Sequence, residues 1–385
     1  MDRLITDLST GYNSKIRPPD NTSETLYVNV YFFLLSVMEY DEISGVLSLT
    51  GGLYMNWQDP RLTWTPSAYS GIPLIVLPRS DVWSPDAYVI NTSDQLEAMD
   101  SDKHYVLRIL HTGFVFIGIG DTINVQCSSD MTYFPFDKQT CHIIIGIWGY
   151  LAREVYLKSI SSVMDTLYYT PGNIWDMEST FCEDYTMANT EGLFKCSITL
   201  ARKPLYVCLN ILGPIIFLSI LNPLVFLLPP DSGDRVSFSM TVLLSFAVFM
   251  MMVSDNMPKT SSPMASITPL LFAVFVFSGF TTMVTMLNLR LHLAEKSDKA
   301  SHKLQRIVTI LSFESLGRSC RRPKCCKKGE VSSLGSKYSL KEELESSLWS
   351  CKQLAEKIDF VSFVYSIVFN CIVFIVFICL FATAP

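Results

Sequence analysis

The sequence predicts an α+β membrane protein in which an all-β domain outside the bilayer is followed by four membrane-spanning helices. Its 385 residues are 49 % hydrophobic and only 17 % charged. That is too long for one ordinary domain and too apolar for a wholly soluble one. The apolar residues gather in uncharged windows, Pro204 to Pro230, Val236 to Ser254, Thr260 to Leu289 and Phe360 to Pro385. Each window holds about the 20 residues needed to cross a bilayer. Residues 1–203 contain no such window, and their apolar residues alternate with polar ones in short runs such as TLYVNVYFFLL and TINVQC.

The outer domain, 1–203, opens on LITDLSTGY, which reads as a short amphipathic helix. Beyond it, short alternating strands are separated by the turn sequences DEISG, AYSGIP and IGD, the punctuation of an immunoglobulin-like β-sandwich. Five of the six tryptophans fall between 57 and 175, as expected of aromatic anchors in a sandwich or an interface. The domain holds four cysteines, Cys127, Cys141, Cys182 and Cys196, and the other seven lie in spans or cytoplasm. Pairing 127 with 141 and 182 with 196 is the economical assignment, with other connectivities open. Asn21 and Asn91 begin glycosylation sequons. No signal peptide precedes Asp2, as expected of a mature or engineered form.

The spans are placed at about 204–229, 235–256, 264–289 and 358–385. Residues 290–357 carry 15 Lys+Arg against 8 Asp+Glu, whereas residues 1–203 carry 13 against 24. The connection between the third and fourth spans is therefore cytoplasmic, and both termini face outward. Within 290–357, residues 290–313 and 337–358 show apolar residues at helical spacing, for example Leu340, Leu344, Leu348 and Ile358. The run RSCRRPKCCKK between them offers Cys320, Cys325 and Cys326 to acyl chains or a metal. No histidine lies nearby, so a basic loop against anionic lipid is the better reading.

On the second span, Ser237, Thr241, Leu244, Val248, Met251 or Met252, and Asp255 recur at intervals of three and four and so share one helix face. The face grades from hydroxyls to bulky aliphatic groups and is flanked by Asp234 and Asp255. Helix packing is one reading of such a face, since Ser and Thr pack closely in membranes. A water-lined pore is the other. Boundary carboxylates are costly unless they meet water or a partner, and they tip the balance toward the pore. Rings of acids at the mouths would select cations, and rings of Leu244 and Val248 would close the path by excluding water.

Catalysis finds no support: five histidines are scattered, no Gly-rich phosphate loop is present, and no nucleophile and base can be paired. No cofactor, metal or nucleic acid is expected.

The segment CSSDMTYFPFDKQTC, Cys127 to Cys141, resembles the signature loop of the Cys-loop receptors, the pentameric ligand-gated ion channels. The resemblance continues through WSPD at Trp83 to Asp86, RKPLYV at Arg202 to Val207, and LPPDSGDRVSFSMTVLLSFAVFMMMVSDNMPKTS at Leu228 to Ser261. It covers essentially the whole chain and is nearest to the nicotinic acetylcholine-like, cation-selective branch. It implies a pentamer of identical or related subunits in the plasma membrane, postsynaptic in setting, gated by a small-molecule agonist such as a cationic amine and passing cations amid membrane lipid. Alternatives are an accessory, non-binding subunit, an anion-selective member, or a four-span protein without a pore. The acidic pattern Gly233-Asp234-Arg235 stands where anion channels of the family carry a Pro-Ala insertion, and family members direct the basic residue away from the axis.

Carried over residue by residue, the resemblance assigns Trp148 to the ligand site. Ile90 stands where an aromatic is expected, with Tyr88 two residues back. Gly52 stands where the neighbouring subunit often presents a Trp, with Tyr54 two further on. Tyr185 and Phe194 are the aromatics assigned to the capping hairpin. A disulfide between Cys182 and Cys196 would tie that hairpin at its stem, as in glycine receptors. Coupling to the pore is assigned to Phe134, Pro135, Phe136 and Asp137 of the signature loop, pressing on the connection that holds Pro258. Arg202 paired with Glu42, with Asp137 joining, completes that assignment.

Overall fold

In the computed structural model the described residues are 1–18, 24–99, 105–187, 191–229, 233–255, 257, 264–293, 308 and 351–382. They form two compact units, one built on Met1–Pro204 and one on the helices from Leu205 onward. Asn21, Pro258, Cys320, Cys325, Cys326 and most of the expected cytoplasmic helices at 290–313 and 337–358 lie outside the described residues.

The first unit begins with helix α1 (Asp2–Ser9), whose Leu4 is buried. Ten strands follow: β1 (Leu26–Asp41), β2 (Val46–Thr63), β3 (Leu74–Pro78), β4 (Ala87–Val89), β5 (Val106–Leu110), β6 (Thr112–Gln126), β7 (Lys138–Ile147), β8 (Val155–Ser159), β9 (Trp175–Met187) and β10 (Glu191–Arg202). They form a six-stranded sheet ordered β3-β5-β6-β2-β1-β8 and a four-stranded sheet ordered β4-β7-β10-β9. The period of two explains the layering. Val28, Val30, Phe32 and Leu34 of β1 are fully buried between the sheets, so Asn29, Tyr31 and Phe33 face the other way. Each fully buried side chain of this size contributes roughly 1.5–3 kcal/mol relative to exposure. Trp57 and Trp83 meet edge to face with centroids 5.8 Å apart, anchoring the core as expected.

The predicted turn DEISG closes β1 onto β2. Asp41 accepts from the amide of Ile43 at 2.9 Å and the hydroxyl of Ser44 at 2.6 Å, and Gly45 lies at φ +69°. A side chain at Gly45 would also stand 2.6 Å from the Cys127 carbonyl oxygen, so the turn sequence and the cysteine loop constrain each other.

The helical unit contains α2 (Leu205–Leu227), α3 (Asp234–Asp255), α4 (Ile267–Leu293) and α5 (Cys351–Ala382). Among the described residues these are four helices long and apolar enough to cross a membrane. α4 ends at Leu293, and α5 starts at Cys351, so the described part of the expected helix at 337–358 is continuous with the fourth span. α2 contains a π-type turn at Cys208–Leu212, just ahead of Pro214. Small hydroxyls and amides join the helices. Ser239 bonds Thr282 at 2.7 Å, Ser278 donates to Asn222 at 3.3 Å, and Asn370 donates to the Ser219 carbonyl at 2.9 Å.

Candidate functional site

The α3 face predicted from periodicity is a face in the structure. Asp234, Ser237, Thr241, Leu244, Val248, Met251 and Asp255 are all exposed, with Leu244 66 % and Met251 69 % accessible. The opposite face, Arg235, Ser239, Val242, Phe246 and Val253, is buried in the helical unit. Leucine and methionine left this open, in line with acids at both ends, form a stripe that a single chain does not cover.

Two disulfides join Cys127 to Cys141 and Cys182 to Cys196. The second links directly opposed residues of β9 and β10. In the first loop the Phe134-Pro135 peptide is cis, Phe134 is buried and Phe136 is exposed. Asp137 is also buried, and it accepts from Gln139 Nε2 at 2.7 Å.

Arg202, at the end of β10, gathers the predicted charges around itself. Its Nε donates to Asp137 Oδ1 at 2.7 Å and its Nη2 to Oδ2 at 3.1 Å, a bidentate pair, while Nη1 lies 2.8 Å from Glu42 Oε1. The guanidinium also stacks over Trp175 at 4.3 Å and Phe134 at 5.0 Å. Burial alone would lower its pKa, but the bonds and charges of Asp137 and Glu42 outweigh that and raise it. Sequence reasoning named the three charged groups and missed Trp175, whose place on β9 beside Arg202 follows only from strand register.

On the four-stranded sheet, Tyr88 of β4 lies opposite Gly146, and Trp148, 60 % exposed, follows β7 with its ring 6.3 Å from that of Tyr88. Leu193 and Ile90 fill the space over Gly146: a side chain there would meet Leu193 Cδ2 at 2.6 Å and Ile90 Cδ1 at 3.3 Å. Tyr185 of β9 is the register partner of Leu193, and Lys195 Nζ stands 5.6 Å over its ring and 3.7 Å from Glu183 Oε1. Phe194 is a correction. It is fully buried in the sandwich core, because it sits one residue along from Leu193 and alternation sends it to the opposite face. Below these residues His142 Nδ1 bonds Ser197 Oγ at 2.8 Å, and burial, with Lys195 next, lowers the pKa of His142.

On the six-stranded sheet Tyr54 stacks on Tyr31 at 5.2 Å and lies 6.3 Å from Phe116. Gly52 has no room for a side chain: its Cβ would stand 2.0 Å from the Ile119 carbonyl oxygen and 2.8 Å from Phe33 Cζ. The side chain of Asn91, which opens the second sequon, accepts from the Ile144 amide at 3.0 Å and donates from Nδ2 to the His142 carbonyl at 2.7 Å.

Residues 1–204 match the family profile described as neurotransmitter-gated ion-channel ligand binding domain, and residues 211–353 match the neurotransmitter-gated ion-channel transmembrane region. Relatives include acetylcholine receptor subunit alpha-1-B of Xenopus laevis, 30 % identical over 75 % of this chain and 64 % of the relative. Acetylcholine receptor subunit alpha-L1 of Schistocerca gregaria is 29 % identical over 78 % and 56 % respectively. Acetylcholine receptor subunit beta-type unc-29 of Caenorhabditis elegans is 28 % identical over 84 % and 65 %. The chain thus spans between 56 % and 65 % of the length of these three relatives.

Proposed function

The chain belongs to the neurotransmitter-gated ion-channel family, and from that premise we propose that it is a subunit of a pentameric, ligand-gated, cation-selective channel of the plasma membrane. The open stripe on α3 carries the proposal. Five copies facing an axis would cover the aliphatic groups that one copy leaves exposed, with Asp234 and Asp255 ringing the mouths to attract cations and Leu244 and Val248 as the constriction. The outer domain faces out and carries the agonist site between subunits. Agonist contacts fall to Trp148, Tyr88, Tyr185 and, across the interface, Tyr54. A cationic amine suits the open face of Trp148, a contact worth about 0.5–2 kcal/mol. The ring of Tyr185 already faces the ammonium of Lys195. Strand movement then passes along β10 through Arg202, held by Glu42 and Asp137, to the span that follows it in sequence.

One arrangement favours a second reading, an accessory subunit that supplies pore and interface but little agonist binding: Ile90 and Gly52 stand where the resemblance expects aromatics, and Phe194 is buried in the core. Expressing the chain alone and with related subunits, and recording currents across an agonist screen in Na+ and Cl− gradients, separates the two. Cation current from the chain alone supports the first reading. Current only on co-expression supports the second, and a reversal potential that follows chloride sinks both.

A further inference from the structure

A charged cluster lies on the buried side of α3, away from the proposed conduction path. Arg235, the neighbour of Asp234, is only 1 % exposed and reaches α5, where Nη1 donates to Asp359 Oδ2 at 2.9 Å and Nη2 bonds Oδ1. Asn288 of α4 donates from Nδ2 to Asp359 Oδ1 at 2.6 Å and to the Ala355 carbonyl at 3.0 Å. The ring of Phe226, in the last turn of α2, lies 5.8 Å from the guanidinium. Side chains of all four helices therefore meet at one ion pair.

The cluster is a poor device for stability. Among the described residues Arg235 Nε and Asn288 Oδ1 are buried without a hydrogen-bond partner, and a buried ion pair can often be replaced by apolar residues of similar volume at no loss. Its effect on orientation is stronger. Successive helix residues point about 100° apart. Holding Arg235 inward therefore turns Asp234 out of the bundle and fixes the inner end of α3 in the phase that opens Ser237 and buries Ser239.

We propose that Asp359 is a positioning residue for the pore: through Arg235 it sets the rotational phase of the inner end of α3 and so presents the Asp234 ring to the axis. The proposal rests on α3 being the pore-lining helix. It makes ion selection depend on a carboxylate in the last helix that permeant ions never touch.

The test uses the full chain in cell membranes with single cysteines at Ser237→Cys or Ser239→Cys, an aqueous thiol reagent, and the parent chain as the blank for native cysteines. In the parent, Ser237→Cys should react and Ser239→Cys should be protected. In Asp359→Asn the ratio of the two rates should fall several-fold, and Asp359→Glu, which keeps the charge, should restore much of it. The double variant Arg235→Met/Asp359→Leu replaces the pair by apolar groups, keeps the fold and should show the same fallen ratio. The same variants should lower the unitary conductance and move the reversal potential toward chloride, which a structural staple would not do. Unchanged ratios in variants that reach the surface normally would overturn the positioning role alone. An inert Ser237→Cys in the parent would overturn the water-lined face as well.

Discussion

The cluster at Arg202 yields a ranked prediction for two neutralisations that look equivalent in sequence. The Arg202 side chain is 6 % exposed, Asp137 1 % and Glu42 22 %. Asp137→Asn keeps the volume but turns an amide toward the guanidinium and leaves a buried cation with one remaining carboxylate. Breaking a buried pair costs about 3–5 kcal/mol, and because Glu42 stays in place the lower end, about 3 kcal/mol, applies. Glu42→Gln removes a single charged contact at a site open to water, which after screening is worth about 1 kcal/mol. In a domain of roughly 200 residues each kcal/mol moves the melting temperature by about 2–4 °C. Asp137→Asn should therefore lower the transition by about 6–12 °C and Glu42→Gln by about 2–4 °C. The assay is a thermal melt of the solubilised full chain followed by tryptophan fluorescence, to which Trp175 in the cluster contributes. Equal shifts, or a larger one for Glu42→Gln, would refute the assignment of Asp137 as the dominant partner.

Three further outcomes are expected. Leu244→Ser should wet the constriction, giving resting current or a left-shifted agonist response in patch recordings, and an unchanged response would move the gate elsewhere on α3. Phe194→Ala should cost about 3–5 kcal/mol in the same melt, whereas Trp148→Ala should leave the melt nearly unchanged and weaken the agonist response. The pKa of His142 is lowered in the fold, so the unfolded chain takes up its proton first as pH falls through about 6.5. Stability should decline with acidification below about pH 7, and His142→Gln should flatten that part of a melting-temperature profile.

What could be read before any coordinates depended on whether a signal was local. The four spans were legible because a bilayer demands long uncharged windows, and the α3 stripe because seven residues at helical spacing define a face without reference to a partner. The even count of four cysteines in one domain left three connectivities open, and the economical one, 127 with 141 and 182 with 196, is the one formed. Phe194 was misread because strand phase is set by pairing with β7 and β9, and a shift of one residue exchanges core for surface. Gly52 could be seen as a missing aromatic, but not as a place where the sheet itself forbids one. Asp359 went unnoticed because its partner lies 124 residues away. Opposite charges at the edges of the second and fourth spans were the available signal, since a carboxylate at a membrane boundary calls for a partner.

The π-type turn at Cys208–Leu212 has a practical consequence for any scan of α2. Such a turn spends one residue more than an α-turn, so the residues on its two sides belong to two helical wheels offset by roughly 100°. A mutational map phased from the outer end would assign lipid-facing positions below the turn to the protein side, and the reverse. Deleting one residue within 208–212 should merge the wheels and rotate everything downstream, a change that no single substitution in that helix can mimic.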